Sequence, residues 1–133
     1  MKLSTKSTYG LRALAFLAAS YPKQVSITEL AEQEKISAKY LEAIFASLKK
    51  GKIVTSVKGA QGGYQLSAKP EAISLWQAMD CLEKQMPAGY CIRGGGKNYC
   101  QPSCCGVGSV LAEIQELIAK KLKAKSLKDL VRK

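Results

Sequence analysis

Residues 26–67 read SITELAEQEKISAKYLEAIFASLKKGKIVTSVKGAQGGYQLS, and this stretch decides the fold. Ser26 stands before an apolar-periodic segment, with Glu29 three residues on, the spacing of a capping box. Ile27, Leu30 and Ala31 then mark one helix face. A break at Glu34–Lys35 leads to Ile36, and Ser37 offers a second N-cap. Leu41, Ile44, Phe45 and Leu48 follow at i, i+3, i+4 and i+7, the spacing of a single apolar face. Gly51 stands where a helix stops. Two short helices joined by a few residues form the helix-turn-helix layout, whose second helix enters the DNA major groove. Lys52 to Ser56 then reads as a strand, Gly59, Gly62 and Gly63 mark a turn, and Tyr64-Gln65-Leu66 returns. A hairpin directly after a helix-turn-helix is a wing.

An ordinary helical pair beside an ordinary hairpin would share this pattern, and the charges separate the two readings. Lys39, Lys49, Lys50, Lys52 and Lys58 lie on or beside the second helix and hairpin, against one acid, Glu42. A basic helix followed by a basic, glycine-hinged hairpin suits phosphate contact better than a merely solvated face does.

The 133 residues suit one domain with a small appendage. The net charge is +11, and residues 1–70 hold 11 of the 21 basic side chains but only 4 of the 10 acidic ones. The excess favours a polyanion and leans toward the DNA-reading half. No apolar run approaches the roughly 20 residues needed to span a membrane. With no histidine, no nucleophile–base pair and no phosphate loop, an enzyme is not expected.

Working outward, Ser4 to Ser20 reads as a first helix with Tyr9, Ala13, Phe16 and Leu17 in one stripe, ended near Pro22. Ala13 to Ala19 after Met1-Lys2 has the outline of a signal peptide, but Arg12 interrupts the run and cleavage would delete a packing helix. Cytoplasmic residence follows, and with it reduced or metal-bound cysteines. Pro70 closes the reader, giving residues 1–70 as a winged helix-turn-helix and 71–133 as a second unit. Ile73 to Leu82 is a short helix whose apolar residues belong to the core. Val107, Val110, Leu111, Ile114, Leu117, Ile118 and Leu122 stripe a long C-terminal helix. A small domain has little against which to bury that stripe, so a second copy of the chain is expected to cover it. Packing back onto the first helix is the alternative. Ser126 caps a last turn, Leu127 to Val131. The fold class is therefore mainly α with one small β-hairpin.

Between these helices, residues 85 to 106 lose periodicity, and Cys91, Cys100, Cys104 and Cys105 fall within this segment. Zinc sites of structural type favour two close cysteine pairs, and there is no CxxC here. Soft thiolates in a glycine-rich loop suit an iron–sulfur cluster. Zinc, direct oxidant sensing by thiolates beside Arg93 and Lys97, and incidental cysteines are the other readings. Cys81 lies in an apolar helix and reads as a structural thiol.

Taken together the chain resembles the Rrf2 family of bacterial winged-helix regulators, the group of the IscR and NsrR iron–sulfur sensors. The carriers are Met1-Lys2-Leu3-Ser4-Thr5-Lys6 with Tyr9-Gly10-Leu11-Arg12, then Ile36-Ser37 with Tyr40-Leu41-Glu42, then Ser56-Val57-Lys58-Gly59-Ala60-Gln61-Gly62-Gly63-Tyr64. The last of these looks like the family's wing. The resemblance implies an iron–sulfur cluster, 2Fe–2S or 4Fe–4S, on Cys91, Cys100 and Cys105. Cys105 is preferred to the alternative Cys104 by its spacing into the long helix. It also implies double-stranded promoter DNA as partner, a homodimer, and iron–sulfur assembly machinery as a further partner.

For DNA, Ser37, Lys39, Tyr40 and Glu42 are the expected base-reading group, Lys58 and Gly59 the wing contacts, and Lys6 and Tyr9 phosphate contacts by resemblance. Four positions depart from the family pattern. Lys58 replaces the usual wing arginine, and Ala43 replaces the recognition-helix glutamine of IscR-like members. Gly108 and Thr8 stand where IscR-like and NsrR-like members have their fourth cluster ligand. Cys104, Cys81, a carboxylate or an outside molecule would have to supply it. The leading expectation is a homodimeric transcriptional regulator whose DNA affinity follows the cluster. The rivals are a metal-free regulator of the same fold, switched by thiol oxidation or a protein partner, and a cluster-carrying protein-interaction module.

Overall fold

The computed structural model describes residues 4–59, 62–83 and 106–131, without the side chains of residues 107, 108, 111 and 112. Five α-helices and one hairpin follow in chain order: α1 Thr5–Ser20, α2 Ile27–Glu34, α3 Ala38–Lys50, β1 Val54–Val57, β2 Gly63–Leu66, α4 Leu75–Glu83 and α5 Gly106–Ala124. Short 3-10 turns, Pro70–Ala72 and Leu127–Leu130, precede α4 and follow α5. The helix-turn-helix, the wing and the long final helix all stand where the sequence puts them.

Three serines start the first three helices. The hydroxyls of Ser4, Ser26 and Ser37 accept from the N–H groups of Ser7, Glu29 and Tyr40, each meeting one of the donors a helix N-terminus leaves unpaired. Lys35, in the left-handed region at φ 54°, turns α2 into α3. Leu41, Ile44, Phe45 and Leu48 are fully buried, which turns the opposite face of α3 outward.

The buried face of α1 keeps Ala13 and Leu17 of the expected stripe and extends toward Gly10 and Leu14. Ser7, Gly10, Ala13, Leu14, Leu17 and Ala18 are buried, while Tyr9 and Phe16 pack at the edge. The reason is α4. Leu82 lies so close over Gly10 that a methyl group there would overlap it. In α4 itself Ala78, Met79 and Leu82 are buried, as the core reading requires. Leu75 and Trp76 are half-buried, with Lys123 Nζ 5.0 Å from the Trp76 ring centre.

The hairpin is antiparallel, pairing Val54 with Leu66 and Val57 with Gly63. Strand β2 has a second neighbour that the sequence does not announce. Val25, just before α2, exchanges both backbone hydrogen bonds with Tyr64, at 2.9 and 2.8 Å. That pairing ties the wing to the start of the helix pair. Near the C-terminus Ser74 and Ser126 bridge, Leu127 N–H donates to the Ile73 carbonyl at 3.0 Å, and the Leu127 side chain is fully buried.

Along α5 the stripe is open to solvent in the single chain. Val110 is 54% exposed, Ile114 43% and Leu117 68%. Ile118 and Leu122 are half-buried, and α5 packs on α4. Val107 and Leu111 fall outside the described side chains.

Gly51 ends α3 as expected, but for an unexpected reason. Its φ is −81°, open to any residue, and the positive φ of 61° falls on Lys52. What requires glycine is space: a Cβ at position 51 would overlap Cys81 Sγ on α4. Gly51→Ala should therefore cost about 1–3 kcal/mol of stability, the usual scale of overpacking. Cys81→Ala in the same chain should return most of it in denaturant unfolding. Additive single effects would place the steric conflict elsewhere.

Candidate nucleic-acid interface

The outward face of α3 carries Lys39, Glu42, Ala43, Ala46, Lys49 and Lys50, all exposed. Lys52 follows at the turn, and Lys58 and Gly59 are exposed in the hairpin turn, Gly59 at φ 125°. That conformation suits glycine, and a side chain there would be strained. The surface is basic, small at its centre and acidic only at Glu42. Ala43 and Ala46 leave room for a groove wall to come close to the helix backbone.

Ser37 is engaged as an N-cap through its oxygen, which leaves its hydroxyl proton to donate outward. Two other expected contact residues reach the helix from α1. Lys6 Nζ donates to Ser47 Oγ at 2.8 Å. The Tyr9 ring meets the Tyr40 ring edge-on, with centroids 5.8 Å apart. Lys6, Tyr9, Ser37, Lys39, Tyr40 and Glu42 thus share the α1–α3 surface, while Lys58 and Gly59 stand apart on the hairpin.

Sequence reading missed Arg12 and Ser47. Arg12 pairs with Glu34 at 2.9 Å and lies 5.9 Å from the Tyr9 ring centre. The guanidinium therefore ties the end of α2 to the ring that supports Tyr40. Glu34 is 22 positions away in sequence, so no local pattern reveals the pair.

At the N-terminus of α1 the Glu83 carboxylate, from the last residue of α4, accepts three hydrogen bonds. They come from the Ser4 hydroxyl at 2.8 Å, the Ser4 N–H at 3.3 Å and the buried Ser7 hydroxyl. The hydrogen bonds from Ser7 and then Ser4 hold the Glu83 carboxyl below its ordinary pKa.

The expected cluster cysteines Cys91, Cys100 and Cys105, and the alternative Cys104, lie outside the described residues. Cys81 is half-buried against Gly51, and burial, with Asp80 nearby, pushes its thiol pKa up. That environment disfavours the thiolate a metal needs. Among the described residues no group of three cysteine or carboxylate side chains is placed to hold a metal ion. No helix among them is long and apolar enough to cross a membrane.

A winged helix-turn-helix with a basic, outward recognition helix is the architecture of DNA-binding regulators. Residues 3–133 match the Rrf2 family, described as iron-dependent transcriptional regulators, and the chain belongs to that family. It is 36% identical over 135 residues to the protein rrf2 of Nitratidesulfovibrio vulgaris, covering 99% of this chain and 88% of that one. Among solved structures it is similar to CymR (YrzC), the global cysteine regulator of B. subtilis, at TM-score 0.79 and 27% identity, over 98% of this chain and 95% of that one. It is also similar to T. potens IscR, at TM-score 0.75 and 31% identity, over 98% and 85%.

The Glu83 geometry predicts an acid dependence. A carboxyl with a lowered folded pKa stabilises fully above the ordinary carboxylate range and loses that contribution as pH falls through the folded value. Glu71 and Asp129 are lowered too, chiefly by backbone hydrogen bonds, so Glu83 carries part of the effect. The melting-temperature gap between wild type and Glu83→Gln should be widest near neutral pH and narrow toward about pH 3. A constant gap would contradict the assignment.

Proposed function

We propose that the chain is a homodimeric, sequence-specific transcriptional regulator of the cytoplasm, with DNA affinity governed by an iron–sulfur cluster on Cys91, Cys100 and Cys105. The observation that carries the DNA half is the division of α3. Leu41, Ile44, Phe45 and Leu48 are sealed in the core, and the basic face opposite them is open. Residues 1–70 form the reader, and residues 71–133 the sensing and pairing half. Ser37, Lys39, Tyr40 and Glu42 meet base edges, with Glu42 accepting from cytosine or rejecting unsuitable sites. Lys6 and Tyr9 steady the backbone, and Lys58 with Gly59 follows the flanking groove.

The dimer reading rests on Val110, Ile114 and Leu117, an apolar row on an exposed helix face that a two-fold copy would bury. The cluster reading rests on donor chemistry. Several soft thiolates in one short segment fit iron and sulfide, and the family is described as iron-dependent. When bound, such a cluster would supply a centre sensitive to redox state and to small ligands. A metal-free regulator of this fold, switched at its thiols or by a protein partner, is the second reading. Similarity to a global cysteine regulator favours it.

Two measurements test these halves. Lys58→Ala should weaken binding to all duplexes and lower the slope of log K against log salt by about one. Tyr40→Ala should cost specific binding above all. Specific binding unchanged in both variants would move the reader off this face.

Anaerobic reconstitution of the five single Cys→Ser variants, read by visible absorption and iron and sulfide content, tests the cluster. Loss is expected at Cys91, Cys100 and Cys105, partial retention at Cys104, and near-complete retention at Cys81. A wild type that takes up no iron supports the thiol-switch reading. One that takes up only zinc contradicts both.

A further inference from the structure

The geometry points to Glu83 as a positioning residue for DNA reading: its carboxylate fixes the first turn of α1, and that turn holds the recognition helix. The inference rests on the α3 surface being the DNA reader. Glu83 is the last residue of α4 and lies outside the basic face. Its Oε1 gathers the Ser4 N–H, the Ser4 hydroxyl and the Ser7 hydroxyl at one point. The Ser4 oxygen meanwhile accepts from the Ser7 N–H at 3.1 Å. Each hydroxyl has one proton, so with both directed to Glu83 these two hydroxyls and the Ser4 N–H are ordered by a single oxygen. A negative charge there also meets the positive end of the α1 dipole.

Ser7 shows how firmly the turn is held. It is the buried polar side chain of the described core, at 0% exposure. Without Glu83 its hydroxyl would lose that acceptor, and the first turn of α1 would lose its link to α4. Lys6 within this turn and Tyr9 just after it carry the contacts to α3. Lys6 reaches Ser47 at 2.8 Å, and Tyr9 reaches Tyr40 at 5.8 Å between ring centres. A shift of this turn therefore moves two supports of the recognition helix without touching the exposed lysines. In sequence, Cys91 follows Glu83 by eight positions.

Fluorescence anisotropy tests the inference with two duplexes, one enriched by the wild-type protein from a randomised pool and one of mixed sequence. Glu83→Ala should weaken binding to the enriched duplex by about tenfold. Binding to the mixed duplex, and its salt slope, should hardly change, because no phosphate contact is removed. Glu83→Gln keeps an oxygen at the same place and should recover most of the loss. Amide hydrogen exchange should quicken at residues 5–9 in the alanine variant. Ile73→Val, a core truncation away from this turn, controls for stability and should leave specific affinity unchanged at a temperature where all variants are folded. Equal loss in Glu83→Ala and Ile73→Val would make the effect one of stability alone and overturn the positioning role. Wild-type affinity in Glu83→Ala would overturn it too, with the DNA reader intact. A wild type that enriches no duplex overturns the reader and the inference together.

Discussion

Four side chains set the orientation on which the rest depends. Leu41, Ile44, Phe45 and Leu48, each at 0% exposure, lock α3 about its own axis. A helix turns by about 100° per residue, so a register change of one position would carry Lys39 and Glu42 out of the reading face. Burying large apolar side chains contributes about 1.5–3 kcal/mol each, far more than the exposed lysines contribute to the fold. The core therefore chooses which residues are left to read DNA. The reader's chemistry is what remains once the apolar half is satisfied.

Around that helix, α1 acts as the hub. Its buried face supports α3 and α4, and its partly exposed edge carries Lys6, Tyr9 and Arg12 toward α2 and α3. The last described turn also joins this core through Leu127 and packs against α1. Position and charge at one end of α1 thus bear on the recognition helix. The outward row on α5 faces a different way of satisfying apolar surface. Nothing within the described residues covers Val110, Ile114 and Leu117, and a second chain is the cover proposed for them.

Much of this was legible in the sequence because its signals are local. Ser26 and Ser37 sit just before periodic apolar residues, and capping chemistry operates over three positions. The α3 face and the hairpin glycines are likewise short-range patterns. The face of α1 was legible at Ala13 and Leu17 but not at Gly10, which is covered by Leu82, distant in sequence and too close for a larger residue. Ser7 was invisible as a core residue because its hydroxyl is satisfied by Glu83, 76 positions away in sequence. Gly51 looked like a conformational stop and is a packing space, with the positive φ carried by Lys52. Val25 joins the wing through backbone groups alone, which no side-chain pattern announces. Of the candidate site, the basic residues of α3 were legible. The supports from Arg12 and Ser47 were not, since each spans two helices.

The central claim is that two copies of the α3 face read one duplex, held together by the α5 row. Hydroxyl-radical footprinting on a duplex enriched by the wild-type protein tests it most directly, run beside Ile114→Glu, which would bury a charge in the proposed contact. Two protected half-sites are predicted, centred about 10 base pairs or a multiple of that apart, as two-fold readers require. In Ile114→Glu the paired pattern should collapse at the same protein concentration while the variant stays folded. A single protected half-site in wild type, or an unchanged paired footprint in Ile114→Glu, would contradict it.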